Sequence, residues 1–307
     1  MKCIACGYSD SYKVFSSKDR MFGIKGSFTV RRCKNCRLGW CDPMLVGKQA
    51  KEYYPSTSYY SYNIGHGGFF AKLRTYMILH DKQRTVLNSL LRLFISVPAI
   101  PVWKEHGKIL DIGCGNGATL SLLKKIGWGV YGVDIDRHAI ALARRTGLSN
   151  VKLGTYKSLK EHPDEYFDVI RLYEVIEHLD RPDDCIELAF TKLKKGGELI
   201  IGTSNFDSLV RRVFGTYWYN LDVPRHTYQF TPTTLKNIIM NVGFTSQSVR
   251  FSSAAGWVGS IQYILEELSS TKLNLINQPL LVILCYPWEW LLDRLHLGDI
   301  FVVTARK

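Results

Sequence analysis

From Lys108 onward the apolar residues of this chain follow two alternating rhythms. Short runs rich in Val, Ile and Leu fall at 108–112, 129–134, 150–154, 167–172 and 197–203. Between them, at 117–126, 136–146, 182–195 and 231–242, apolar positions recur every three or four residues. Continuous apolar runs mark strands buried on both faces, and the longer period marks helices with one packed side. Their regular exchange predicts a parallel sheet covered on both faces, with ligands at the carboxyl ends of its strands. Segments 245–252 and 299–305 add two strands, separated by an insertion at about 253–298. The expected fold is α/β: a doubly wound, seven-stranded Rossmann-like sheet over 105–307, with a small module at the N-terminus.

Local chemistry sharpens some boundaries. Thr231 reads as the N-cap of the 231–242 helix, with Pro232 at its first helical position. Residues 46–104 read as a tyrosine-rich linker, irregular from Glu52-Tyr53-Tyr54-Pro55 to Ser58–Tyr62, followed by helix over 69–95. The apolar run from Val86 to Trp103 contains Arg92, Pro98 and Pro101, which argue for a helix packed on the main domain and against a membrane span. The insertion carries Pro279–Leu284 and Tyr286–Leu292 with two tryptophans. Internal packing is its first reading; a lid, a dimer surface and an interfacial membrane helix are the others.

The run Lys108-Ile109-Leu110-Asp111-Ile112-Gly113-Cys114-Gly115-Asn116-Gly117 closes a strand and opens a helix. Glycines there let the backbone bend tightly and approach a ligand. Asp134 follows 19 residues after Gly115, at the end of the next strand, where a carboxylate can hold both hydroxyls of a ribose. A nicotinamide-binding domain would carry G-x-G-x-x-G instead. The D-x-G-x-G-x-G pattern resembles motif I of class I S-adenosylmethionine-dependent methyltransferases. The resemblance implies that Asp111, Gly113, Cys114, Gly115 and Gly117 surround the methionine part of the cofactor, and that Asp134 and Ile135 meet its nucleoside. Members often place an acid after the third strand for the adenine amino group; Gly154-Thr155-Tyr156-Lys157-Ser158 offers none.

Charge and cysteines set the N-terminal third apart. Of the net +13, residues 1–106 supply +11 (17 Lys/Arg against 6 Asp/Glu) and the rest +2 (23 against 21). Such a segment suits nucleic acid, anionic lipid or a phosphorylated substrate, or is simply well solvated. Cys3-x2-Cys6 and Cys33-x2-Cys36 have the spacing of two turns that close a tetrahedron around structural zinc, so residues 1–45 read as a zinc ribbon with a hairpin near 27–31. Lys2, Arg31, Arg32, Lys34 and Arg37 flank them and offset the thiolate charge. No cleavable signal is visible at Met1–Cys6, so a cytoplasmic location is expected, including the inner face of a membrane.

Two clusters are candidates for the acceptor side. Phe167–Leu179 ends the fourth strand and resembles the family's fourth motif, with E-H-L; Glu174, Glu177 and His178 also match an E-x-x-E-H cluster of quinone O-methyltransferases associated with a divalent metal. Helical spacing would put Glu174 and His178 on one face; the resemblance also places Glu174 at the cofactor. The second cluster, Trp218–Pro232, reads as an exposed loop beside the cofactor, in which Trp218, Tyr219, Asp222 and Arg225 contact substrate. An alcohol acceptor benefits from a base with pKa near neutrality, and His226, then His178, are the candidates. Arg225 either clamps an anionic group or pairs with Asp222 to pin the loop.

The four-cysteine ribbon, the tyrosine segment and W-Y-x-L-D-x-P-R-H resemble a bacterial methyltransferase subgroup linked to surface polysaccharide or natural-product pathways. The resemblance implies methyl transfer to a small, glycan or lipid-linked acceptor, first of all a sugar hydroxyl. The alternatives are RNA modification through the basic ribbon, quinone-type O-methylation and a non-catalytic partner-binding module.

Overall fold

A computed structural model of the chain describes residues 2–45 and 99–307 except 254, and between them 49, 52–54, 69–80, 85, 88, 90–91, 95 and 97. The tyrosine run from Pro55 to Tyr62 and most of the helix expected beyond Leu79 lie outside the described residues, as does Pro98. Three N-terminal strands, β1 (Ser11–Ser17), β2 (Phe28–Cys33) and β3 (Gly39–Asp42), precede helix α1 (Phe69–Leu79). The main domain then alternates: β4 (Lys108–Ile112), α2 (Ala118–Lys125), β5 (Gly129–Asp134), α3 (Arg137–Arg145), β6 (Val151–Leu153), β7 (Phe167–Tyr173), α4 (Pro182–Lys192) and β8 (Leu193–Ser204). It continues with α5 (Leu209–Phe214), β9 (Tyr228–Gln229), α6 (Pro232–Val242), β10 (Ser246–Phe251), α7 (Gly256–Ser269), α8 (Pro279–Arg294) and β11 (Ile300–Arg306).

Seven strands form one sheet in the order β10-β11-β8-β7-β4-β5-β6. The five from β4 to β8 are parallel, and β11 and β10 close the edge antiparallel, as the alternation predicts. Strand residues supply two cores by turns. Ile109, Val169, Ile200 and Val302 pack with Leu120, Leu123 and Ile140 on one face. Leu110, Ile170, Leu172 and Ile201 pack with Ile186, Leu235 and Ile238 on the other. This alternation follows from the pleat, which turns successive side chains to opposite faces. Helix α6 starts with a Thr231 capping box and Pro232, and ends at Gly243 in the left-handed region. Helix α4 is shorter than the 182–195 pattern suggests. It stops at Lys192 because Leu193 already pairs with Phe167, and β8 runs for 12 residues.

The N-terminal strands make an antiparallel sheet, β1-β2-β3, larger than the hairpin expected near 27–31, and β9 is its fourth member. Gly39 pairs with Gln229 and Trp40 with Tyr228, so the cysteine-bearing module and the 218–230 segment share backbone hydrogen bonds. A third apolar cluster fills the seam, with Phe28, Val30 and Cys41 against Phe206, Trp218, Leu221 and Val223. The 253–298 insertion is a pair of packed helices, α7 and α8. Among the described residues no helix is long and apolar enough to cross a membrane.

Candidate active site

The loop from Gly113 to Gly117 leaves β4 at its carboxyl end and starts α2. Gly113 has φ +73°, and a Cβ there would lie 2.2 Å from Val175 Cγ2, so the loop is pressed against the turn that follows β7. Gly117 has φ +75° and would meet Leu148 Cδ1 at 2.3 Å. Both positions require glycine for conformation and for space. Asp134 ends β5 beside this loop; its carboxylate accepts the Gly115 N–H and the Asp136 N–H, each at 2.8 Å. Burial pushes its pKa up, opposed by those donors. Each oxygen still has a lone pair for a ligand hydroxyl. Ile135, directly after the acid, is 72% exposed and offers an apolar face. A nucleoside with a flat base and a diol fits this arrangement: carboxylate for the diol, exposed Ile135 for the base, backbone cradle for the rest.

Two residues expected at the cofactor are turned away. Asp111 is buried and gives both carboxylate oxygens to Arg171, at 2.7 and 2.8 Å. An arginine three strands of sequence later neutralises it inside the sheet, so it anchors β4 to β7. The Cys114 side chain is buried against Gly132 and Leu120, and burial holds its thiol strongly protonated.

The second lip of the cleft follows β7. The helix expected over 174–178 is a strand end, Glu174 at φ +55°, and a single 3-10 turn from Ile176 to His178. Glu177 is fully buried, and neither of its oxygens has a hydrogen-bond partner among the described residues. Burial raises the pKa of Glu177, and burial plus the neighbouring Glu177 charge raise that of Glu174 well above the usual range.

His178 is half-buried, with Nδ1 3.0 Å from the Arg225 carbonyl and 3.1 Å from the Tyr54 hydroxyl. A carbonyl only accepts, so Nδ1 carries the proton and Nε2 is left with a lone pair. The His226 ring stands 4.7 Å away, edge to face. Its Nδ1 donates to the Asn220 carbonyl at 2.9 Å, leaving Nε2 3.9 Å from both Glu177 and Asp222. Burial lowers both histidine pKa values, and in His178 the neighbouring ring adds to the effect. Both rings are therefore neutral near pH 7. One ligand atom each from Glu177, His178 and His226 lies within 4.8 Å of the others, a donor set that also suits a divalent ion; Glu174 stands outside it.

The 218–230 segment is not an exposed loop. Arg225 is 3% exposed and His226 5%. The Arg225 guanidinium bonds to both oxygens of Asp19, to Asp222 and to the Tyr53 carbonyl, so it pins the loop to the N-terminal module and has no face for a substrate anion. Burial pushes Asp222 upward, but the Arg225 guanidinium beside it pulls the other way, and the carboxyl lies below its ordinary value. Trp218 is buried and donates through Nε1 to Asp299. Tyr219 packs against Gly259 of α7 and takes the Ser260 hydroxyl on its backbone N–H. Trp218 and Arg225 are thus enclosed by the chain's own groups, whereas Tyr219 is half-buried.

Three contributors had no local signal. Tyr54 reaches His178 from the linker, and Asp19 reaches Arg225 from the N-terminal module. Asp299 accepts from Trp218 and from Asn220 Nδ2 at 2.7 Å, thereby fixing the residue whose carbonyl orients His226. Burial pushes the Asp299 carboxyl up to about 7. Only the H-L-G-D sequence before β11 hints at it.

The four cysteines converge as their spacing predicts. Cys3 and Cys36 Sγ are 3.4 Å apart, Cys6 and Cys33 Sγ 3.7 Å, and all four lie within 4.8 Å of one another. Sulfurs on a tetrahedron with Zn–S near 2.3 Å stand about 3.8 Å apart, so the set fits that ion.

Comparison with known proteins gives a family model described as a methyltransferase domain, matching residues 78–249. Curated relatives include proteins named ubiquinone biosynthesis O-methyltransferase. One from a Shewanella species is 30% identical over 128 residues, 39% of this chain and 54% of that protein. One from Pseudomonas fluorescens is 29% identical over 130 residues, 40% and 56%. The chain thus spans about half the length of the curated relatives it matches. Solved structures that resemble it include a SAM-dependent methyltransferase from Archaeoglobus fulgidus, at 24% identity, TM-score 0.48, 76% of this chain and 99% of that one. An S-adenosylmethionine-dependent methyltransferase from Mesorhizobium loti gives 18%, 0.46, 73% and 99%.

Proposed function

Since the chain belongs to the methyltransferase-domain family, we propose that it transfers a methyl group from S-adenosylmethionine to a hydroxyl of a small or lipid-linked acceptor, such as a sugar. When bound, that cofactor supplies an electrophilic sulfonium methyl. Asp134 takes the ribose hydroxyls, Ile135 lies against the adenine, and the Gly113–Gly117 backbone receives the methionine part. His178 would take the proton that the acceptor oxygen must lose.

The observation that carries this reading is the state of His178. It is half-buried, held in one tautomer by the Arg225 carbonyl, kept neutral by burial, and three residues from Val175, which lies against the glycine loop. A neutral imidazole suits an alcohol, whose proton must leave as the oxygen is alkylated. His226 lies deeper and positions His178. The relatives' naming as O-methyltransferases supports an oxygen acceptor, and their naming for ubiquinone biosynthesis makes a quinol hydroxyl the second reading. The four cysteines hold a structural zinc in this account, with no open position for chemistry.

The test is transfer of isotopically labelled methyl to lipid, glycan, quinone and RNA extracts. Label in the glycan or lipid-linked sugar fraction is expected; label in the quinone fraction selects the second reading. Incorporation into RNA alone, or none from any extract, overturns the proposal. His178→Gln is expected to lower kcat by roughly a hundredfold or more at unchanged cofactor Kd.

A further inference from the structure

Helix α8 is inverted relative to an ordinary surface helix. Its two acids point inward: Glu289 accepts the Ala255 N–H at 3.1 Å, and Asp293 accepts the N–H and hydroxyl of Ser253 at 2.9 and 2.7 Å. Leu292 is buried with them and Leu281, Val282, Tyr286 and Trp290 are half-buried, yet a stripe of apolar residues points outward. Leu280, the adjacent pair Ile283 and Leu284, Trp288, Leu291 and Leu295 recur every three or four residues and are 66, 45, 67, 45, 39 and 58% exposed. From Pro279 to Leu291 no charged side chain is exposed. On the packed neighbour α7, Ile261, Leu265 and Leu268 repeat the pattern at 40, 40 and 78%. Contiguous exposed apolar surface of this kind is uncommon on soluble monomers and marks an interaction face.

We infer that this face seats on the surface of an anionic lipid bilayer. The cations around it choose that occupant over a second copy of the chain. Lys18 and Arg20 pair with Glu267 and Lys272 with Glu266 at the end of α7, and Arg294 closes the α8 stripe, so four cations stand against two acids on this rim. The whole chain carries +13. A second copy would bring like charges against these rims, whereas anionic headgroups complement the rim as acyl chains complement the stripe. Trp288 on the stripe, with Tyr286 and Trp290 beside it, supplies rings suited to the headgroup boundary. Sixteen helical residues extend only about 24 Å, too short to span, so α8 lies in the plane of the interface. The docked helices bear directly on the acceptor side: α7 holds Tyr219 through Ser260, next to the Asn220 that orients His226. The lipid-linked form of the acceptor, which rests on the proposed methyl transfer, then reaches the cleft from the membrane.

The experiment is co-sedimentation of the full chain with vesicles of phosphatidylcholine alone or mixed with phosphatidylglycerol. Binding to the anionic vesicles is expected to be roughly tenfold stronger and to weaken with salt. The double variant Leu284→Ser, Trp288→Ser should lose at least about tenfold of it, with unchanged Tm and cofactor Kd. Wild-type protein remaining in the supernatant with anionic vesicles overturns the inference. So does a variant that pellets like wild type, or a wild-type dimer in sedimentation equilibrium that the variant converts to monomer. Vesicle binding without cofactor binding would leave this inference standing and remove the methyl-transfer reading; the converse result separates them the other way.

Discussion

Replacing Asp134 by alanine is the most direct probe of the cofactor pocket. The carboxylate is 9% exposed, so a ribose diol bonded to it competes with little water. Hydrogen bonds to a charged acceptor contribute about 1.5–3 kcal/mol each, so losing two should cost roughly 3–6 kcal/mol, a rise in Kd of about a hundredfold to ten-thousandfold. The protein itself loses two acceptors, for the Gly115 and Asp136 N–H groups. At about 1 kcal/mol each this is partly offset by relief of a buried charge, so the chain stays folded. Asp134→Asn keeps one oxygen and the volume but not the charge, and should fall between, at roughly tenfold to a hundredfold. Isothermal calorimetry with S-adenosylmethionine reads the Kd, and thermal unfolding reads the fold. A folded Asp134→Ala protein that binds the cofactor with wild-type affinity would refute the pocket assignment.

Three further outcomes follow from the same geometry. Gly113→Ala places a methyl group 2.2 Å from Val175 at φ +73°, and should destabilise by more than about 2 kcal/mol while weakening cofactor binding, read by Tm and calorimetry. Methyl transfer should rise with pH as His178 loses its proton, with a midpoint below the ~6.5 of free imidazole, because burial lowers its pKa. The depressed histidine also binds a proton more readily when unfolded, so its contribution to stability falls as pH drops through that window; a midpoint above the free value would contradict the burial argument. Cys33→Ser should abolish bound zinc in elemental analysis. Since β2 and β3 connect that site to β9, it should also reduce methyl transfer far more than cofactor affinity.

What could be read from the chain was what is local. Strand runs around Ile109 and Ile170, the Thr231–Pro232 helix start and both cysteine pairs each announce themselves within a few residues, because strand burial, capping and metal spacing are short-range properties. The glycine loop and Asp134 are separated by one strand-helix unit, which fixes their distance. The acceptor side was misread for the opposite reason. Trp218 and Arg225 look exposed by residue type, yet their partners are Asp299 and Asp19, and only the folded chain brings 81 and 206 positions together. Tyr54 is a neighbour of His178 that its own tyrosine-rich segment does not single out. Asp111 illustrates the same limit within a recognised motif: its type fits the loop, but Arg171 from the adjoining strand claims both oxygens.

The backbone ladder between Gly39–Trp40 and Tyr228–Gln229 makes the cysteine module and the 218–230 segment a single mechanical piece. Transplanting residues 1–45 or 218–230 into another scaffold would then require moving both as one cassette, because either half alone would leave a strand edge and the Arg225 guanidinium without their counterparts.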